Sequence, residues 1–293
     1  MNFKCHNCGA SNKFSTFLKS QNELLYQEYI YERFKFKNEY RWTEKKAEER
    51  ETRINAVFLE KYKDDPIQKL ACVKDLDKDH EAVQYVISRK IPFKVWDELY
   101  YSENYIKWVH ENVDNSNYKE DRLPKSDPRI VIPFLTKSKK IFAYQGRSLI
   151  NSDKVLRYVT AKKNEDSFLV YGFDKIDEKK EHIFVLEGPF DATFVNNSLA
   201  VAGSALKKLM QIKSKKFVYV FDNQPRNKEI VDLFDTVIRD GGKVVIFPDE
   251  VVDKDINDMI QSGYTKTEVN KLLEDNIYQG LQAKLRFEKW KKI

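Results

Sequence analysis

The chain has 293 residues, 41% of them hydrophobic and 33% charged, with a formal net charge of +6. That length allows about two domains and a sizeable core. The composition excludes a disordered tail, no apolar run approaches the roughly 20 residues of a membrane span, and no secretory h-region follows Met1. Three cysteines offer no even disulfide framework and suit a reducing cytosol, and the mild positive charge only hints at a polyanionic partner.

Residues 1–12 read MNFKCHNCGASN, and residues 17–34 carry apolar positions at helical spacing. A stretch dense in charge and poor in apolar periodicity follows, expected as a linker or a solvated helix. From Asp77 a compact helical element is predicted, with Ala82, Val83, Val86 and Ile87 recurring at helical spacing and Pro92 beyond them. RIVIPFL and KIFAYQGRSL are strand-like runs separated by TKSKK, which predicts a hairpin.

From residue 181 the rhythm changes. HIFVLE, LAVAG, KFVYVFD and KVVIFPDE are short apolar runs of the kind expected for strands buried on both faces. Helical stretches lie between them, clearest where Ile230, Leu233, Phe234, Val237 and Ile238 make one face and Gly241 sits at the end. This alternation predicts a parallel α/β sheet. The final segment opens with a Thr265-x-x-Glu268 capping box and is expected to continue as amphipathic helix. Cys72, alone in KLACVKD, is expected to be a buried apolar residue.

The acids carry the chemistry. In an open α/β sheet, ligands sit beyond the carboxyl ends of the strands. Glu187 ends one predicted strand, Asp222 ends another, and Asp255 and Asp258 follow a third after a short acidic loop, with Asp191 four residues beyond Glu187. Clustered carboxylates repel one another and raise one another's pKa unless a cation lies between them. Hard oxygen ligands without His or Cys suit Mg²⁺ or Mn²⁺, and such a site performs phosphoryl or nucleotidyl transfer. Any one of these acids alone is as readily a helix N-cap or a turn residue.

In this order, VLEGPFD, VAGSAL, FVYVFDN and KDINDM resemble the toprim domain shared by bacterial and phage DNA primases and by type IA and II topoisomerases. Upstream, PRIVIPFLTKSKKIFAYQGRSL and LRYVTAKKNEDSFLVYGFDK resemble the basic subdomain that precedes toprim in primases and that topoisomerases lack. CHNCG near the YQEYIYE helix, FDNQPR and the terminal NIYQGLQAKLRFEKWKKI are similar to the lagging-strand primases of T-even-type tailed phages. The resemblance covers nearly the whole chain. It implies an α/β fold, α+β overall: a partial zinc ribbon and helix at 1–35, a charged linker at 36–75, a basic subdomain at 76–178, toprim at 179–262 and a C-terminal helical segment at 263–293.

It also implies roles. Glu187 would be the central catalytic acid, Asp191 the second acid of its turn and Asp222 the first acid of the D-x-D metal motif, with Asp255 and Asp258 the late acidic pair. Gln224 stands where that motif carries an acid; its amide oxygen can still ligate a cation or orient a water. Arg129, Arg147, Arg157 and Tyr158 would grip template and incoming triphosphate. The implied activity is DNA-directed RNA polymerase action on a single-stranded DNA template, using ribonucleoside triphosphates and Mg²⁺ or Mn²⁺, for lagging-strand replication in the cytoplasm of an infected bacterial host. Two alternatives remain: a weakly catalytic remnant that binds single-stranded DNA or helicase, and a toprim nuclease.

Cys5-x-x-Cys8-Gly9 is half of a zinc ribbon, and a structural zinc needs four ligands. The resemblance makes this pair the ribbon's second half. Either the reading frame is shortened, or a separate polypeptide supplies the other half, or the pair is vestigial. No G-x-x-x-x-G-K-[ST] occurs, so no helicase motor is expected within the chain; the resemblance implies a separate hexameric replicative helicase as partner, and no membrane is expected.

Overall fold

The computed structural model describes residues 2–4, 11–22, 26, 29, 64–113, 123–164, 168–201, 205–212 and 214–293. Cys5, Cys8 and most of the charged stretch expected as a linker lie outside these described residues. At the N-terminus, β1 (Asn2–Lys4) pairs antiparallel with β2 (Ser11–Lys13), and α1 (Phe14–Gln21) follows.

The next unit runs β3 (Ala71–Cys72), α2 (Glu81–Ser88), β4 (Tyr100–Ser102), α3 (Tyr105–Asn112), β5 (Arg129–Leu135), β6 (Ile141–Ser148) and β7 (Tyr158–Lys162). Its strands form an antiparallel sheet in the order β3-β4-β5-β6-β7. The predicted β5–β6 hairpin is present, and every residue of β5 is buried. Helix α2 starts where the His80 ring nitrogen accepts the Ala82 N–H at 3.1 Å, and its periodic Ala82, Val83 and Val86 are fully buried. Strand β3 falls inside the stretch expected as linker; two residues carry no period for sequence to show, and only pairing with β4 makes them a strand. Cys72 is half-buried rather than buried, and burial pushes its thiol up to about 11.

The second sheet gathers β8 (Val170–Tyr171), β9 (Ile183–Leu186), β10 (Ser198–Val201), β11 (Phe217–Tyr219), β12 (Lys243–Val245) and β13 (Ile277–Gln279). Its helices are α4 (Pro189–Ala192), α5 (Ala205–Met210), α6 (Lys228–Arg239), α7 (Ile256–Ser262), α8 (Lys266–Asp275) and α9 (Gly280–Trp290). The strand order is β13-β12-β11-β9-β10-β8. The four central strands are the four predicted runs, and they pair parallel as expected; β13 and β8 close the edges antiparallel. Two edges depart from the expected segmentation. β8 lies in sequence within the upstream unit yet pairs with β10, and β13 interrupts the terminal stretch expected as helix. The break falls at Gly280, whose φ of 60° suits a residue without Cβ.

The two sheets share one core. Val83 and Val86 of α2 and Phe134 of β5 pack in the same cluster as Phe184 and Leu186 of β9. Arg89 and Lys90, just past α2, fasten this junction. Arg89 Nη1 donates to Asn257 Oδ1 at 2.9 Å and Asn257 Nδ2 donates back to Arg89 O at 2.7 Å, while Lys90 Nζ donates to Ile260 O at 2.9 Å, near the carbonyl end of α7.

Candidate active site

Strands β12, β11 and β9 are parallel neighbours, so their carboxyl ends open on the same side. Glu187 is the first residue past β9, Asp222 lies three residues past β11, and Asp255 is the N-cap of α7 beyond β12. With Asp191 of α4 they line a recess of about 10 Å³, walled by Phe247 and Ile256. That is room for one water-sized sphere. Glu187, Asp191, Asp222 and Asp255 thus meet at neighbouring strand ends, while Asp258, in the first turn of α7, does not line the recess.

The four aspartates each have a specific partner. Asp191 Oδ1 accepts the Asn257 N–H at 2.9 Å, and its Oδ2 lies so close to Gly188 that a Cβ built there would stand 2.3 Å away. The glycine of the E-G-P-x-D turn is thus a requirement of close approach. Asp255 Oδ1 accepts the Asp258 N–H at 2.8 Å, so this acid also serves as the cap that bare sequence allows. Asp222 Oδ2 lies 3.2 Å from Lys254 Nζ, and Asp258 Oδ1 lies 3.8 Å from Arg89 Nη1. Glu187 Oε1 is buried with no hydrogen-bond partner among the described residues.

Electrostatics follow from this crowding. Burial, with the Asp222 charge adding to it, pushes Glu187 up to about 7. Burial and then Asp255 push Asp191 up to about 8, against the Asn257 N–H. Burial also raises Asp222, with Lys254 opposing, and raises Asp258, where Asp255 adds to the effect. Glu187, Asp191 and Asp222, largely held out of water, with Asp255 beside them, define a place for positive charge. Among the described residues no group of three or more His, Cys, Asp or Glu side chains is placed to hold a metal ion by itself. Mg²⁺ does not need such a group, because it keeps several waters and is bound through one or two carboxylates plus phosphates. The hard oxygen donors and the orphaned Glu187 oxygen fit such an ion.

Gln224 is not brought to the recess; its Oε1 accepts from Asn227 Nδ2 at 3.1 Å, beside the cap of α6. The three arginines divide. Arg129 is 2% exposed: its Nε donates to both oxygens of Asp127 at 2.8 Å, and Nη1 donates to Gly146 O and Leu156 O. Its donors are largely spent inside the protein, which makes it an internal strut rather than a surface grip. Arg147 is 9% exposed, its guanidinium 4.9 Å from the Tyr158 ring and 5.5 Å from the Tyr85 ring, and its Nε is buried without a partner among the described residues. Burial pushes the Tyr158 hydroxyl up to about 12, against the Arg147 charge, and the Tyr85 ring of this group lies 6.0 Å from the ring of Phe190, the neighbour of Asp191 in α4. Arg157 is exposed on the strand's approach.

Sequence reasoning missed Arg89, Lys254, Tyr85 and Asn257. Lys254 and Asn257 stand inside KDINDM, where the acids drew the attention; Arg89 and Tyr85 reach the site from far upstream, and only tertiary packing brings them there.

An antiparallel sheet bearing arginines, packed on a parallel sheet whose strand ends carry acids, is the architecture of primase RNA polymerase cores. No family model matches the chain. It is 33% identical over 301 aligned positions to the DNA primase of Enterobacteria phage T4, covering 100% of this chain and 82% of the relative. The Aquifex aeolicus primase fragment with zinc-binding and RNA polymerase domains has a similar structure, with a TM-score of 0.54 and 17% identity over 99% of this chain and 77% of that one. So does a DnaG primase catalytic domain bound to single-stranded DNA, with a TM-score of 0.54 and 15% identity over 73% and 76% of the two chains. These structural likenesses speak to the fold. The chain belongs to the DNA primase family, whose activity is the synthesis of RNA primers, a nucleotidyl transfer. The alternatives of a binding remnant and of a nuclease are not better supported.

Proposed function

We propose that the chain makes short RNA primers on single-stranded DNA during lagging-strand replication of a phage genome, in the cytoplasm of an infected bacterium, by divalent-metal-dependent transfer of ribonucleotides. Glu187, Asp222, Asp255 and Asp258 would hold the cation, with Asp191 as a supporting acid. The observation that carries this reading is the convergence of Glu187, Asp191, Asp222 and Asp255 around one ion-sized recess. A bound Mg²⁺ or Mn²⁺ would polarise phosphoryl oxygens and offset the charge on the leaving group.

The chain's own residues supply the rest. The primer 3′-hydroxyl attacks the α-phosphate and pyrophosphate leaves. Arg147, stacked between Tyr85 and Tyr158 with an Nε donor to spare, orients the triphosphate as a preorganised cation. Arg157, out in solvent, meets the template backbone, and Arg129 fixes the wall from which both project. Lys254 holds Asp222 until a cation displaces it. The reading also takes in a zinc with Cys5 and Cys8 among its ligands and a separate hexameric replicative helicase; both rest on the sequence resemblance.

The test is a primer-synthesis assay with labelled ribonucleotides, single-stranded template and Mg²⁺, with helicase present. Dinucleotides and longer products are expected. No dinucleotide with the intact protein would sink the reading, and ladders of cut DNA with Mn²⁺ would revive the nuclease.

A further inference from the structure

The terminal segment NIYQGLQAKLRFEKWKKI carries no part of the chemistry above, yet it ends against the acids. Trp290, 5% exposed on the last turn of α9, packs 4.6 Å from the Phe234 ring and donates its indole N–H to Asn223 Oδ1 at 2.9 Å. Asn223 directly follows Asp222. Its Nδ2 donates to Val251 O at 2.8 Å and to Asp253 O at 3.2 Å, and its backbone N–H donates to Lys254 O at 2.6 Å. Those carbonyls belong to the loop that leads into Asp255. A second tie lies two residues past Asn223, where Pro225 O accepts the Lys292 N–H at 2.9 Å.

The side-chain amide of Asn223 is fully committed: two donors to the loop, its oxygen to Trp290. An amide can be turned over, exchanging its oxygen for its NH₂, but an indole N–H only donates. With Trp290 in place the oxygen must face the indole, so the NH₂ must face the loop. The loop carbonyls favour the same orientation, since the flipped amide would set an oxygen against both; without the indole the amide oxygen loses its buried donor and one of the three side-chain bonds that fix it is gone. The loop has no regular structure of its own, so these bonds register it against Asp222.

We infer that Trp290 is a positioning residue for the metal site, acting through the Asn223 amide to hold Asp255 in register with Asp222. The C-terminal helix is then part of the catalytic scaffold. This rests on the assignment of the acids as cation ligands.

The experiment measures Mn²⁺ binding to the full chain by calorimetry, beside thermal melts and single-stranded DNA binding. Trp290→Phe keeps a ring against Phe234 and removes the donor together with part of the indole's volume; Asn223→Ala breaks the same bond with the Trp290 packing intact, in case the first variant folds poorly. Each is expected to weaken Mn²⁺ binding about tenfold, as loss of an outer hydrogen bond does at metal sites, with DNA binding unchanged. The double variant should bind no worse than Asn223→Ala alone. Wild-type Mn²⁺ affinity in both single variants, or effects that add in the double, would overturn the tether and leave the acids' role standing. No Mn²⁺ binding by the wild type, or undiminished binding by Glu187→Gln, would overturn that role and the tether with it.

Discussion

Replacing Glu187 by Gln keeps its shape and removes one charge from the recess. In the wild type, raising this carboxyl from its ordinary 4.5 to about 7 means the folded protein resists ionisation that the unfolded chain accepts. Stability from this group is full below about pH 4.5 and falls as pH rises to about 7, by about 1.4 kcal/mol per pH unit, or about 3 kcal/mol in all. Gln pays none of this, but its buried amide lacks partners where Glu187 Oε1 already has none, costing about 1–3 kcal/mol at every pH. The variant should therefore melt below the wild type near pH 5 and level with or above it near pH 8, the difference moving by about 6 °C at about 2 °C per kcal/mol. Millimolar Mg²⁺ should restore the wild type's advantage near pH 8, because only the wild type keeps the full set of charges. Primer synthesis should vanish in the variant. Melts followed by circular dichroism at the two pH values, with and without Mg²⁺, read the first effect. A wild-type–variant difference independent of pH would refute the burial of an ionisable acid there, and a tenth or more of wild-type activity would remove Glu187 from the centre of the mechanism.

The arginines should separate by stability and by salt. Arg129→Ala leaves Asp127 buried and unpaired, while Asp127 Oδ2 still receives the Ile106 N–H, so a loss of about 3–5 kcal/mol is expected. A denaturant midpoint that shifts by less than a quarter of that would return Arg129 to the surface. Arg157→Ala should leave the melting point nearly unchanged and flatten the salt dependence of single-stranded DNA binding by about 0.7 in log–log slope; an unchanged slope removes it from the template contact. Gly188→Ala forces the Asp191 carboxylate off its bond to Asn257, and primer synthesis should fall at least about tenfold through misplacement; full activity would show that Asp191 need not sit there.

What sequence revealed and what it hid follow from the range of the interactions. Strands β9 to β12 announce themselves because burial on both faces leaves unbroken apolar runs, and acids after such runs have few places to go but the sheet's open edge. The Thr265–Glu268 capping box formed as read, since its bonds are local. β3, β8 and β13 are two or three residues long and owe their existence to partners distant in sequence. Arg129 and Arg157 look alike as letters. Asp127, two residues before Arg129, was the available clue to a buried pair, but spacing does not tell which face a strand buries.

The position of the acids at the junction of two sheets has a physical consequence. Acids crowded at about 10 Å³ of open space repel when ionised, and either protonation or a bound cation relieves them. The cation-bearing sheet stands over them because residues just past α2 grip α7: Lys90 holds its carbonyl end, and Arg89 holds Asn257 in its first turn while facing Asp258. Asp255 caps that same helix. One short helix therefore carries two of the acids and the bonds that clasp the upstream unit at Arg89 and Lys90. A shift of α7 would move both acids and would have to break the Arg89 and Lys90 bonds to the upstream unit, so the placement of the acids depends on the junction and not on their own sheet alone.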